Sequence, residues 1–247
     1  MNARDILRVS GADTRSFLQG LVSNDVAGID HGLVYAALLT PQGKYIADFF
    51  MAADGDDVLL DVDAKLGEGL LKRLTLYKLR AKVAITRTEL ALHRGTGPAP
   101  DGAFDDPRHP DMGWRAYGPG PASDDGTDWD AIRVAHCIPE TEIELTPDTF
   151  ILEAGFEHLN GVDFRKGCYV GQEVTARMKH KTELRKGLRR VHISGAAPVG
   201  TQITGDGKPA GTLFTQSKGG AIAYLRLDRA SGDMKAGDAT LTLGAPD

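Results

Sequence analysis

The stretch KGCYVGQE, residues 166–173, places one of only two cysteines of the chain between two glycines. Small residues let a backbone turn sharply or approach a ligand closely. A thiol becomes reactive where a positive charge or a helix N-terminus favours its thiolate, and Lys166 supplies such a charge. The apolar spacing from Val170 to Met178 predicts a helix directly after the cysteine. The pattern fits either a reactive or ligating Cys168 or a small buried hydrophobe in a tight turn.

A basic run follows the motif between Arg177 and Arg190. It contains seven Lys or Arg side chains (177, 179, 181, 185, 186, 189 and 190) and a single acid, Glu183. Such a run is either a solvated face or a patch for an anionic ligand or an RNA backbone. No aromatic residues alternate with these cations to stack on bases, so the RNA interpretation is the weaker of the two.

The composition is that of a soluble protein able to bury a sizeable core, with 247 residues, 41% hydrophobic, 26% charged and a net charge of -5. The acidic balance argues against nonspecific binding of nucleic acid by the whole surface. Two cysteines are too few for a disulfide framework and indicate a reducing compartment. Neither a signal-peptide core nor an apolar run of roughly 18 residues occurs, so we expect a cytoplasmic protein with no membrane partner.

The order of strand and helix patterns predicts an α+β fold. Residues 33–62 contain three apolar strands joined by short turns, which indicates an antiparallel meander, and residues 64–79 have the spacing of a helix. No steady βαβ period follows, which disfavours a doubly wound sheet. From Leu188 onward short strands alternate with glycine turns, as in a small β-barrel. We therefore predict two domains, 1–186 and 187–247.

Two acids stand in apolar surroundings and are candidates for function. Glu153 lies in the sequence LEAG, so it is either partly exposed or buried against a donor. Asp48 interrupts an apolar strand, where aspartate is unfavourable by propensity. The histidines show no zinc-ligand spacing, and one motif cysteine cannot supply the four ligands that an iron–sulfur cluster usually takes. We predict no metal site formed by this chain alone.

The motif resembles the K-G-C-[FY]-x-G-Q-E motif of the YgfZ family. That family includes the mitochondrial iron–sulfur assembly factor of the Caf17 type and is related to the aminomethyltransferase (T-protein) of the glycine cleavage system. Further blocks match in family order over nearly the whole chain: residues 17–20 with 24–26, 41–44, 76–80, 106–108 with 113–115, 152–155 and 174–178.

The resemblance implies an aminomethyltransferase-like folate-binding fold with a C-terminal β-barrel, and a role in assembling or repairing iron–sulfur proteins with tetrahydrofolate. Iron–sulfur client or assembly proteins are the implied partners. Glu153 matches the acid that contacts the pterin in aminomethyltransferases, where a carboxylate can accept two parallel hydrogen bonds. Cys168 is the implied essential thiol. The predicted folate-binding residues are Glu153, Lys166, Gly171, Gln172, Glu173 and Arg177, and the predicted catalytic residues are Cys168 and Asp48.

One departure from the aminomethyltransferases leaves the enzymatic function open. Those enzymes carry a paired-acid stretch after the glycine turn, whereas residues 43–48 here retain only Asp48, and Lys44 replaces a glycine. They also lack the motif cysteine. The alternatives are a folate-dependent aminomethyl or methyl transferase that uses Asp48, and, more weakly, an RNA-modification accessory factor that uses residues 177–190.

Overall fold

The computed structural model of the chain describes residues 3–181 and 184–244. The chain divides into two compact units, Met1–Thr127 with Glu157–Ala176 and Asp128–Phe156 with Arg177–Asp247. The sequence predicts a single cut at residue 186, whereas each unit is assembled from two separate stretches of chain. The predicted cut coincides with the first barrel strand, and as a domain boundary it stays a prediction. Glu183 of the predicted basic run lies outside the described residues.

A five-stranded antiparallel sheet forms the centre of the first unit. Its strands are β1 Arg4–Ser10, β2 Val34–Leu39, β3 Tyr45–Asp54, β4 Asp57–Asp63 and β5 Ala84–Arg87. Their order across the sheet is β2-β3-β4-β1-β5. Strands β2, β3 and β4 therefore form the antiparallel meander that the sequence predicts.

The two faces of this sheet differ because successive side chains of a strand point to opposite sides. One face is apolar and contributes residues such as Ala36, Phe49 and Leu60 to the main core. The other face is buried as well, yet it carries polar groups. Register places Tyr35 of β2 opposite Phe50 of β3, and Phe50 opposite Asp61 of β4. Asp48 is two residues from Phe50 and lies on the same face.

Two helices pack on the apolar face. The apolar spacing from Phe17 to Val22, with Asp13 as N-cap, predicts a helix, and the structure has α1 over Thr14–Gln19 only. The Asp13 side chain makes no cap hydrogen bond to this helix and accepts from the backbone N–H of Lys82 at 2.7 Å. Helix α2, Ala64–Tyr77, begins at Asp63, whose carboxylate accepts from the N–H of Lys65 at 2.9 Å. No helix within residues 3–181 and 184–244 is long and apolar enough to cross a membrane.

The end of α2 has an unusual backbone. Lys78 is the C-cap, and the next residue, Leu79, has a φ of 44°. Many helices end with a residue in this left-handed region, and that residue is usually glycine because a Cβ is disfavoured there. Here a leucine occupies the position.

A small second sheet completes the first unit. Its strands are β6 Ala91–Gly95, β7 Phe104–Asp105, β8 Trp114–Gly118 and β9 Ser123–Asp124, in the order β7-β8-β6-β9. The sequence predicts one strand within the loops of residues 95–127, around Trp114, and the structure confirms that strand as β8. The two-residue strands β7 and β9 are too short to leave a periodic pattern. Short 3-10 helices occur at Val26–Asp30 and Pro110–Met112.

The second unit is built around the barrel. Helix α3, Trp129–Ala135, precedes it, and helix α4, Gln172–Lys181, leads into it along the chain. The barrel is closed, in the order β10-β13-β12-β11-β14-β15. Its strands are β10 Lys186–Ser194, β11 Gln202–Gly205, β12 Lys208–Ser217, β13 Gly220–Arg226, β14 Met234–Ala236 and β15 Ala239–Leu243, with a 3-10 helix at Leu227–Arg229. The predicted small β-barrel is confirmed. The short strand β14 is the one barrel strand that the sequence pattern does not predict.

Candidate functional site

The motif forms a loop, residues 166–171, that runs into the first turn of α4. Cys168 lies in the middle of this loop as an exposed free thiol, whereas the next residue, Tyr169, is buried. The interpretation of Cys168 as a small buried hydrophobe is therefore wrong. The loop presents its sulfur to solvent, where the thiolate can act as a nucleophile or as a metal ligand.

Lys166 fastens one end of the loop. Its ammonium is buried and donates to three backbone carbonyls, those of Gln19 at 2.9 Å, Val22 at 2.6 Å and Asn24 at 3.0 Å. Carbonyls at the end of a helix have no intrahelical partner, and Lys166 satisfies that of Gln19, the last residue of α1, together with two carbonyls of the segment that follows. Burial lowers the pKa of the Lys166 ammonium to about 8, against the opposing effect of nearby acids. Because its three protons are taken by the backbone, Lys166 holds the loop in place. Its predicted contact with folate stays a prediction.

Gly171 fastens the other end. It has a φ of 84°, and a Cβ at this position would lie 2.7 Å from the carbonyl oxygen of Thr40 and 3.0 Å from Cβ of Leu39. The loop therefore packs directly on the turn between β2 and β3. Gly43 in that turn also has a positive φ, and a Cβ there would meet the side chain of Val174 at 2.8 Å. The two predicted family blocks around residues 41–44 and 166–173 are thus packed against each other.

A third family block, residues 24–26, belongs to the segment that supports the stretch before the loop. The hydroxyl of Ser23 donates to the carbonyl of Gly161 at 2.6 Å and accepts from the N–H of Ala37. The amide of Asn24 donates to the carbonyls of Tyr35 and Asn160 at 2.8 and 2.7 Å. These bonds connect β2, the segment after α1 and the chain that leads to the motif, so the position of Cys168 is set by the fold.

Replacing Lys166 with methionine is expected to lower the free energy of unfolding by about 1–3 kcal/mol, because buried carbonyls lose their donor. Urea denaturation would measure the change. The loosened loop should also be cut faster by trypsin after the exposed Arg165. Lys208→Met, an exposed position on β12, is the matched control. Stability and cleavage equal to those of the unaltered protein would refute the anchoring role.

The predicted folate-binding residues Gln172, Glu173 and Arg177 lie on α4. The side-chain amide of Gln172 donates to the carbonyl of Gly167 at 3.4 Å and so braces the loop from the helix. Glu173 and Arg177 are exposed and one helical turn apart. Their contribution to ligand binding stays a prediction.

Asp48, the predicted catalytic acid, is buried on the polar face of the central sheet. The hydroxyls of Tyr35 and Tyr45 donate to its two carboxylate oxygens at 2.9 and 2.6 Å. Burial and the adjacent carboxylate raise the pKa of Tyr35 far above its usual value, so its hydroxyl keeps its proton. This pairing explains why an aspartate is tolerated in an otherwise apolar strand. A catalytic role for Asp48 stays a prediction.

Glu153, the predicted pterin ligand, is half-buried in the second unit. Its Oε2 accepts from the hydroxyl of Tyr224 on β13 at 2.6 Å, and its backbone carbonyl accepts from the N–H of Leu188 at 2.7 Å. Burial and the Glu153 carboxylate raise the pKa of Tyr224. Within the described part of the chain, Oε1 of Glu153 receives no hydrogen bond. A carboxylate with one oxygen fixed and one oxygen open fits a ligand that donates N–H bonds.

The predicted basic run contributes two side chains to a cavity in the second unit. Arg185 and Lys186 line a space of about 620 Å³ together with Arg226, Leu227 and Asp228. Among the described residues that line this space, three are cations and one is an acid, so this part of the lining is electropositive. Such a lining suits an anionic group, and both interpretations of the basic run stay predictions.

A buried ion network, which the sequence analysis does not predict, lies on the polar face of the central sheet. Arg115 donates to Asp61 at 2.6 Å and to Asp106 at 3.0 Å. Arg108 binds both oxygens of Asp106, at 3.0 and 2.7 Å, and Arg4 donates to Asp61 at 2.6 Å. Each acid therefore meets two guanidinium groups, which is the pairing that buried carboxylates require.

The network is built around an aromatic ring. The guanidinium carbon of Arg115 lies 3.9 Å from the centroid of Phe50, and that of Arg108 lies 4.8 Å from it. Burial alone would raise the pKa of Asp61 and of Asp106, but the adjacent guanidinium groups outweigh burial and hold both pKa values below their usual range. A signal for the network is present in the sequence, since the blocks 106–108 and 113–115 contain three of these residues.

Comparison with known proteins first defines the class of fold. The aminomethyltransferase T of the glycine cleavage system from Bartonella henselae aligns with a TM-score of 0.76 over 98% of this chain and 83% of that one, at 13% sequence identity. The predicted aminomethyltransferase-like α+β fold with a C-terminal barrel is therefore confirmed.

The family follows from sequence. Residues 185–247 match the model of the CAF17 C-terminal beta-barrel domain. The chain is 32% identical, over 79% of its length, to the iron-sulfur cluster assembly factor IBA57 homolog, mitochondrial, of Mycosarcoma maydis, and 29% identical, over 95%, to iron-sulfur cluster assembly factor IBA57, mitochondrial, of Homo sapiens. It spans 57% and 78% of those two proteins. These matches fit a YgfZ/Caf17-type protein, so the family assignment from the motif is confirmed.

Proposed function

We propose that this protein binds a folate and acts in the assembly or repair of iron–sulfur proteins, with Cys168 as its essential thiol. The observation that carries the proposal is the exposed Cys168 on a loop fastened at both ends. The names of the relatives, which are iron–sulfur cluster assembly factors, support the same role. Iron–sulfur client or assembly proteins are the proposed partners.

The chemistry of Cys168 limits what it can do alone. Thiolates are the usual ligands of iron–sulfur clusters, and four are normally needed. Cys137, the other cysteine, belongs to the second unit, so the motif loop offers one sulfur. A cluster held by Cys168 would therefore be shared with ligands from another molecule. The cluster is then cargo that passes through the site, and an exposed thiol on a fixed loop suits such a transfer.

The folate part of the proposal is supported by Glu153. The pterin ring offers an amino group and a ring N–H side by side, and a carboxylate can accept both. Tyr224 fixes the orientation of Glu153 through its hydrogen bond to Oε2. The electropositive cavity at Arg185, Lys186 and Arg226 is suited to the carboxylates of a folate glutamate tail. Bound folate would supply a one-carbon carrier, and the residues named here would orient it.

Replacing Cys168 with serine should abolish restoration of [4Fe–4S] enzyme activity in cells lacking the natural gene, because the hydroxyl cannot replace a thiolate ligand or nucleophile. The enzyme activity in extracts, normalised to protein, is the measurement. Cys137→Ser is the matched control and should restore activity. The thermal midpoint of Cys168→Ser should stay unchanged because the side chain is exposed. Full restoration by a folded Cys168→Ser protein would remove the thiol from the function.

Replacing Glu153 with glutamine should weaken binding of tetrahydrofolate by about 10- to 100-fold, because a charge-assisted hydrogen-bond pair is lost. Isothermal titration calorimetry under anaerobic conditions would measure Kd. Asp206→Asn, at an exposed hairpin turn of the same unit, is the control and should leave Kd unchanged. If the unaltered protein gives no saturable heat, the folate proposal fails while the role of Cys168 remains open to its own test.

The alternative functions have less support. The transferase alternative depends on Asp48, whose two oxygens are held by tyrosines, and no observation raises it above the assembly role. RNA binding by residues 177–190 and a cytoplasmic location also stay predictions. The relatives named above are described as mitochondrial.

A further inference from the structure

Two leucines at the end of α2, three positions apart in the sequence, are both exposed. The exposed fraction is 71% for Leu76 and 86% for Leu79, the two highest among the large apolar residues of the described chain that are exposed. Leu76 lies in the last turn of the helix, and Leu79 follows the C-cap in the left-handed conformation. We call this pair the Leu76–Leu79 patch.

The left-handed backbone conformation of Leu79 lowers the stability of the folded protein. A residue with a Cβ is destabilised in the left-handed region by roughly 1–2 kcal/mol, and glycine avoids the penalty. Leu79 recovers little of this by packing, since most of its side chain is in water. A strained residue whose side chain is of no use to the fold is a reason to look for a function outside the fold.

Basic residues adjoin the two leucines in the sequence. Arg73 and Leu76 are three residues apart on α2 and so lie on one face, and Arg80 directly follows Leu79. Lys72 and Lys82 are exposed as well, although Lys72 is paired with Glu68 at 2.9 Å. Residues 72–82 contain five Lys or Arg residues and no acid, on a chain whose net charge is -5, and we take these cations as the rim of the patch.

We propose that the Leu76–Leu79 patch is a docking surface for a partner protein with an apolar pocket bordered by carboxylates. Burying two leucines at the centre supplies affinity, and the cationic rim selects an acidic partner and speeds encounter. The small apolar centre with a charged border is the arrangement found in protein–protein interfaces.

A protein fits this surface better than a membrane or a nucleic acid. A lipid bilayer is fluid and needs no fixed side-chain direction, so the strained backbone at Leu79 would gain nothing there. Single-stranded nucleic acids are held by cations together with stacking aromatic rings, and the two exposed side chains of this patch are aliphatic. A partner protein with a preformed pocket gains affinity from a leucine that is already held in one direction, because less conformational entropy is lost on binding.

The decisive variant is Leu79→Gly, because it should make the fold more stable while it weakens binding of the partner. Relief of the left-handed strain should raise the thermal midpoint by about 2–4 °C, whereas loss of the side chain should weaken partner binding at least tenfold. The partner is captured with a photo-crosslinking phenylalanine analogue at position 76 of the full chain in living cells. It is then identified by mass spectrometry, purified, and titrated against the unaltered protein and Leu79→Gly by calorimetry.

Three controls give each outcome a meaning. The analogue at position 199, where an exposed valine stands in the second unit, sets the background. Arg73→Glu with Arg80→Glu should abolish capture by reversing the rim charge. Cys168→Ser should leave capture unchanged, so failure of the proposed thiol function does not affect this test. Vesicles with 30% anionic lipid and a single-stranded RNA test the two other occupants.

Support requires a captured protein with an acidic surface at the cross-link, a Kd weakened at least tenfold by Leu79→Gly, and weaker binding at high salt. Capture at position 76 that does not exceed capture at position 199 overturns the proposal. The proposal is also overturned if the cross-linked material is RNA or lipid. It is overturned as well if the protein binds vesicles or RNA and Leu79→Gly abolishes that binding. A Kd that Leu79→Gly leaves unchanged also overturns it.

Discussion

Arg115→Met is expected to lower the free energy of unfolding by about 3–5 kcal/mol, the usual result of removing one partner from a buried ion pair. Arg115 donates to Asp61 and Asp106, and all three side chains are nearly inaccessible to solvent. Without the guanidinium, two carboxylates remain buried with fewer donors. Urea or guanidinium denaturation followed by tryptophan fluorescence would measure the change.

The same variant should also lose part of the acid sensitivity of the fold. Asp61 and Asp106 have folded-state pKa values held below their unfolded values, so their stabilisation is present above about pH 4 and is lost as pH falls through the folded values. The stability difference between the unaltered protein and Arg115→Met should therefore shrink between about pH 4 and pH 2. Arg15→Met is the control, since Arg15 pairs with Asp30 at the surface and should change stability little. A difference that stays constant with pH would contradict the assigned network.

Gly171→Ala is expected to lower the free energy of unfolding by at least about 2 kcal/mol, through left-handed strain and a clash with backbone. The added Cβ would lie 2.7 Å from the carbonyl oxygen of Thr40, which belongs to a hydrogen-bonded turn and cannot simply rotate away. The motif loop should lift from this turn, and the variant should restore cluster-enzyme activity poorly although Cys168 is intact.

Gly167→Ala is the matched control within the same motif. A Cβ added at Gly167 would meet no atom within 4 Å among the described residues beyond its chain neighbours, and its φ is not positive, so alanine should be tolerated. If both variants were equally stable and active, the packing of the motif on the 40–43 turn would not be what fixes Cys168. Loss of activity in Gly167→Ala alone would instead point to a direct role of that glycine beside the thiol.

The sequence predicts those parts of the fold whose signals are local. The meander of β2, β3 and β4 follows from apolar runs separated by turn residues, and the barrel follows from short strands with glycine turns. The three-residue strand β14 leaves no such signal. The units themselves are not predicted, because contacts between distant stretches, such as Ser23 with Gly161, leave no mark in local periodicity.

The candidate site is predicted in part for the same reason. Cys168, Glu153 and Asp48 are recognisable from the motif and from acids that stand in apolar surroundings. The role of Lys166 is not, because a lysine beside a cysteine suggests a charge acting on sulfur, whereas the carbonyls that bind it come from residues 19–24. The pairing of Asp48 with Tyr35 depends on the register of β2 against β3, which no single stretch of sequence specifies.

The order in which the first unit is assembled has a consequence for its synthesis. Its central sheet is complete by residue 87. The carbonyls of residues 19–24 that bind Lys166 have no such donor until Lys166 is made, because it follows Gln19 by 147 positions. On the ribosome, an N-terminal sheet can therefore form while its last segment is still untranslated. The thiol becomes fixed only when the remainder of the unit, with the motif, has left the exit tunnel. Immature chains would thus not present an ordered Cys168, and the motif loop would be the last part of the first unit to reach its final structure.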